Sequence, residues 1–289
     1  MAEDPVAVQR LQEAVTHVQV VFARSPGSPN WGDGLPHHPH LRRGMSEREI
    51  RHIESRPQRL RSRELGLDET AYFMTHAMLN DASQRERSAA LRYFLPVLVE
   101  QTLDPAGPGS PELGLDWIGR WLGRGGWQRW KPSEQAAVRR WLLQFFGAAL
   151  MYRSSAWTPI YPPSLESPPN REPREALGLY LAAGADANDL LPLLQRLEPH
   201  RICRLIRSVM EDEAATLSRG WPWNPDDSWP PVPAAAQAPL VEYLLGPSAR
   251  AAVLAVSETS DYGEYADACW RSLDALEAAA DDRARFLAR

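Results

Sequence analysis

Residues 83–103 read SQRERSAALRYFLPVLVEQTL, and they carry the strongest apolar helical pattern in the chain. Ser83 and Glu86 stand in the S-x-x-E spacing of a capping box. In that arrangement the serine hydroxyl accepts from the third helical amide and the glutamate reaches back to the serine N–H. The apolar run that follows shows no strict alternation of apolar and polar residues, so it reads as helix rather than strand. Pro96 lies inside it.

The same pattern spreads outward in both directions. Upstream, Val8, Leu11, Val15, Val18 and Phe22 share one face of a helix expected from about Pro5 to Ala23. Ser46 and Glu49 form another capping box, and Asp68 caps the stretch ETAYFMTHAML. Downstream, Ser110-Pro111 opens a helix bearing Leu113, Trp117, Ile118 and Trp121, and Gly125-Gly126 ends it. Pro132 starts the next, with Val138, Trp141, Leu142, Phe145 and Leu150 in a stripe. Further helices are expected from about Arg174, Asn188 and Pro199, then around PLVEYLLG, SARAAVLAVSE and YGEYADACWRSLDALEAAADDR.

No segment alternates with β-branched enrichment between turn signals, so no sheet is expected. The fold class is all-α: an irregular bundle or array of short helices, with HEAT-like stacking as one form it could take. Two proline-rich stretches divide it. Residues 1–153 form an N-terminal helical region, 154–173 a linker or surface loop, and 174–289 a C-terminal helical region packed as one unit with the first. The second proline-rich stretch is WPWNPDDSWPPVP, 221–233.

The 289 residues are 44% hydrophobic and 24% charged, the balance of an ordinary globular chain. No run approaches the roughly 18–20 apolar residues of a membrane span. The acidic start MAEDP is unlike a secretory leader, so a cytoplasmic protein without a membrane partner is expected. Lys131 is the one lysine beside 31 arginines, a usage that suggests a GC-rich bacterial genome. The net charge of −5 excludes a generally basic nucleic-acid binder but leaves room for a local basic patch. Cys203 and Cys269 fall in apolar helical patterns and read as buried thiols.

Four features could carry chemistry or binding. AAGADAN, 182–188, looks like an ankyrin joint but does not recur every 33 or so residues. A helix end at Gly184 and a cap at Asp186 or Asn188 explain it more simply. His37, His38 and His40 crowd one loop and are weak metal candidates. They lack the four-ligand spacing of a structural zinc site, so no metal and no cofactor is assigned. Arg42, Arg43, Arg59, Arg61 and Arg63 belong to a segment, 42–63, with eight arginines against three glutamates. Such a segment is either a solvated face or a polyanion site. Trp221, Trp223 and Trp229 sit in the second proline-rich stretch, where they either anchor a partner or plug a seam between helices.

No phosphate loop, dinucleotide fingerprint, G-x-S-x-G or H-E-x-x-H is present, so enzymatic function has no motif behind it. The expectation is a non-enzymatic interaction module, an adaptor or immunity-type partner of another bacterial protein. RNA or DNA binding through 42–63 is the alternative, and an enzyme of unknown class the third.

Five stretches carry a resemblance: HPHL (38–41), RPQRLRSREL (56–65), AYFMTHAMLND (71–81), LRYFLPVLVEQ (91–101) and GWQRWKPSEQAAVRRWL (126–142). Together they resemble a family of uncharacterised bacterial α-helical proteins. That family has a C-P-x-C turn, an R-H-F-L-P-R-type helix and a W-x-x-W-P segment. His38 and Leu41 stand where the family has cysteines, and Tyr93 where it has histidine. The resemblance implies a helical fold and no named activity.

Overall fold

The structure is a computed structural model. It describes residues 4–23, 74, 83–105, 115–152, 172–210, 234–259 and 263–287. Among them are ten α-helices and no strand. In chain order they are α1 (Pro5–Phe22), α2 (Gln84–Glu100), α3 (Leu115–Gly125), α4 (Pro132–Met151), α5 (Pro173–Ala182), α6 (Leu191–Leu194), α7 (Pro199–Met210), α8 (Ala234–Leu245), α9 (Pro247–Ser257) and α10 (Gly263–Leu287). Short 3₁₀ turns follow α2, follow α3 (Trp127–Arg129) and precede α6 (Ala187–Leu190).

Local chemistry sets the boundaries. Asp4 caps α1, accepting from the amides of Val6 and Ala7, with Pro5 at the first helical position. Ser83 and Glu86 make the reciprocal capping box that their spacing predicts, and α2 continues through Pro96. The Ser83 cap draws the Glu86 carboxyl below its ordinary pKa, because both hydrogen bonds from Ser83 favour the charged form. Gly126 leaves α3 at φ 63° and Gly184 leaves α5 at φ 69°, a region that favours glycine. Asp186 then accepts from the Asn188 amide and caps the 3₁₀ turn, as the capping reading of AAGADAN expects.

Residue 188 does not open one long helix. The stretch from Ala187 is a 3₁₀ turn followed by the four residues of α6. Pro192 has no amide hydrogen to donate back to the preceding turn, which keeps that turn from closing as α-helix.

α1 packs along α4 and α2; α3 lies between α2 and α5; α7 lies against α9, α10 and α5. One contiguous apolar core runs from Leu11 through Trp121, Trp141, Phe145, Tyr180 and Ile206 to Leu276. Trp121 and Trp141 are fully buried as expected, whereas Trp117 and Trp270 are only half-buried at its edge. The α3–α5 contact depends on small residues. A Cβ on Gly119 would fall 2.8 Å from the Leu179 carbonyl oxygen, and one on Gly123 2.6 Å from that of Ala182.

Among the described residues no single helix is long and apolar enough to cross a membrane. The apolar pair α8–α9 is bent by 43° and turns Leu240, Leu244, Ala249 and Val253 into the core.

Candidate binding groove

Three faces distant in sequence converge on one open groove of about 390 Å³. The first turn of α1 supplies Asp4, Val6, Ala7 and Arg10. The C-terminal half of α4 supplies Leu143, Gln144, Gly147, Ala148 and Met151, which recur at the three- and four-residue spacings of one helix face. The segment around α6 supplies Asp189, Pro192, Leu193, Arg196 and Leu197, with the same spacing.

Gly147 opens the middle of this groove. A Cβ there would lie 3.8 Å from a Leu193 methyl, an ordinary contact, so neither packing nor backbone conformation requires glycine. A missing side chain in an otherwise well-formed helix leaves space above the apolar floor. Val6, at the rim, keeps 53% of its surface exposed.

The charges at the groove divide into committed and uncommitted groups. Asp4 is occupied with the α1 amides. Asp189 pairs with Arg139 at 2.6 Å and adjoins the Tyr180 hydroxyl, which donates to the Asp186 carbonyl at 3.0 Å. Burial first, and the Asp189 charge second, push the Tyr180 phenol well above its ordinary pKa, so it stays protonated. Arg140, nearby on α4, pairs with Glu13 at 3.5 Å. Arg10 and Arg196 are exposed, and among the described residues their guanidinium groups have neither a hydrogen bond nor an ion pair. Among the described residues the Gln144 side-chain amide likewise has no partner.

Among the described residues that line the groove there is no serine, threonine, cysteine, histidine, lysine or tyrosine. Its two carboxylates are engaged, so the arrangement supplies contact surface and hydrogen bonds rather than a nucleophile or a poised base. Among the described residues, no group of three His, Cys, Asp or Glu side chains stands close enough to hold a metal ion.

None of the residues singled out from the sequence is among the described residues that line the groove. Trp221, Trp223 and Trp229, Arg42, Arg43, Arg59, Arg61 and Arg63, and His37, His38 and His40 all fall outside the described residues. Cys203 and Cys269 are free, buried and adjacent across α7 and α10. The Cys269 thiol donates to the Cys203 carbonyl at 3.7 Å. A hydrogen bond with Cys269 and then burial raise the Cys203 thiol far above its ordinary pKa, the opposite of an activated nucleophile. The motifs WQRWKP and YFLP are core and capping elements: Tyr93, Phe94 and Leu95 are buried, and Trp130 stacks edge-on against Phe22 with Arg92 4.9 Å above its ring.

Comparison with family models, curated proteins and solved structures returns no match.

Proposed function

We propose that the chain is a non-enzymatic α-helical interaction module, an adaptor or immunity-type partner that receives a segment of another protein in the α1–α4–α6 groove. One observation carries this reading: an open apolar trough whose centre is kept clear by Gly147 and whose polar groups include no reactive set. Apolar concavities of this size with a few convergent polar groups are the usual form of a binding site.

Gly147→Leu tests it, because the new side chain grows into the groove. Helix propensity favours leucine over glycine by about 0.5–1 kcal/mol, so the variant is expected to fold with an equal or higher thermal midpoint. It is also expected to lose the polypeptide that the wild-type chain captures from a lysate of its native host. Equal capture by both proteins would remove the groove as the site. Trp221, Trp223 and Trp229 remain a second proposed anchor. Truncating each to alanine would leave the midpoint nearly unchanged if they face a partner, and lower stability by roughly 3–5 kcal/mol if they are core.

Polyanion binding is the second reading, and one observation favours it. The segment 42–63 holds eight arginines against three glutamates. Charge reversal at Arg59, Arg61 and Arg63, with loss of a salt-sensitive RNA or DNA affinity, is its expected signature.

A further inference from the structure

The uncommitted charges at the groove specify the kind of segment that fits, an inference that rests on reading the groove as a partner site. Arg10, on α1, and Arg196, in the segment after α6, line the same groove as Leu143, Ala148 and Leu193. Every other charge at the groove has a partner within the chain: Asp189 has Arg139, Asp4 has the α1 amides, and neighbouring Arg140 has Glu13. Among the described residues, what remains unmatched is two guanidiniums and the Gln144 side-chain amide around an apolar surface. A cationic ligand would meet like charge there and a neutral one would leave both arginines unanswered. A carboxylate gains charge-assisted hydrogen bonds that guanidinium geometry favours.

The chain as a whole carries −5, so an extensively acidic partner would be repelled at long range. Screening over about 8 Å at physiological salt confines that repulsion and leaves the local arginines in control of a small ligand. We infer that the groove takes a short acidic–apolar segment of a partner protein. Its aspartate or glutamate pairs with Arg10 or Arg196, and a leucine- or methionine-type side chain fills the space above Gly147.

The experiment selects random peptides displayed on phage against the full chain and measures the enriched peptides by fluorescence anisotropy. Peptides pairing Asp or Glu with Leu or Met are expected to be enriched. They are expected to fail on Gly147→Leu and to bind the Arg10→Glu/Arg196→Glu variant at least about tenfold more weakly, with affinity restored when the peptide acid is exchanged for lysine. Peptides that Gly147→Leu excludes but the double arginine variant binds normally would overturn the acidic specificity and leave the groove standing as a partner site. Enrichment of no peptide, or of peptides indifferent to Gly147→Leu, would overturn both. Saturable binding of dodecanoate at the groove, without any peptide, would also overturn both and mark a small-molecule acid site instead.

Discussion

The indole Nε1 of Trp127 donates a 2.7 Å hydrogen bond to the carbonyl of Ala183, joining two segments 56 residues apart. Gln128 adds its side-chain amide to the same carbonyl at 2.9 Å and to that of Gly184 at 3.1 Å. The last carbonyls of a helix have no acceptor role within it, and here the turn after α3 satisfies those at the end of α5. Two motifs that look unrelated in sequence, GWQRW and AAGADAN, are the two halves of one cap.

Trp127→Phe keeps an aromatic ring but removes the donor and part of the buried indole, while Gln128 still serves the carbonyl. The expected loss is about 1 kcal/mol for the hydrogen bond plus a comparable packing cost, roughly 2 kcal/mol together. Adding Gln128→Ala strands the Ala183 carbonyl, so the double variant should lose more than the sum of the singles. Urea unfolding with an unchanged slope and a lowered midpoint is the appropriate measurement.

The glycines provide a sign test. Glycine to alanine at an unhindered helix position stabilises by up to about 1 kcal/mol. Gly147→Ala meets only an ordinary contact and should raise the thermal midpoint. Gly119→Ala and Gly123→Ala place a methyl against the α5 backbone at 2.8 and 2.6 Å and should lower it. The same substitution is thus expected to act in opposite directions within one protein, and three melts decide the matter.

Both thiols should be silent in the folded protein. Cys203 and Cys269 are fully buried, and the neighbouring Cys269 thiol together with burial favours the protonated form at Cys203. Ellman's reagent is expected to titrate neither cysteine in buffer and both in denaturant. Rapid reaction under native conditions would show that α7 and α10 separate readily.

What could be read from the sequence was local. Ser83 with Glu86, Gly126, Gly184 and Asp186 each specify a helix boundary through contacts within a few residues, so spacing alone reveals them. Helical periodicity also marks the apolar faces of α1, α2 and α4. It does not tell how completely neighbours cover a face, which is why Trp117 and Trp270 lie half-buried rather than deep in the core. The groove was invisible because residues 4–10, 143–151 and 189–197 meet only in the folded chain. Its one sequence trace is Gly147, a helix-weakening residue in the middle of α4 for which no cap or turn gives a reason.

α4 ends on carbonyls that two arginines of α7 satisfy. Arg201 donates to Leu150 at 2.8 Å, and Arg204 donates to Ala149 at 3.0 Å and Tyr152 at 2.7 Å. Positive charge at a helix C-terminus also suits the helix dipole. One turn further along α7, the Ser208 hydroxyl donates to the Glu172 carboxylate and accepts from the Arg174 amide at 3.0 Å. Residues 152 and 172, the described residues on either side of the proline-rich stretch, are therefore both tied to α7. The core is continuous across them. A protease site placed within 154–171 and then cut should leave two fragments that co-elute, keep their helical circular dichroism and melt at a concentration-dependent midpoint. Arg204→Ala leaves helix-end carbonyls without their donor, which costs about 1–3 kcal/mol, and should make the cut protein separate at higher concentration than the cut wild type. Fragments that part on dilution while each keeps its own cooperative melt would instead show two independent domains joined by a linker.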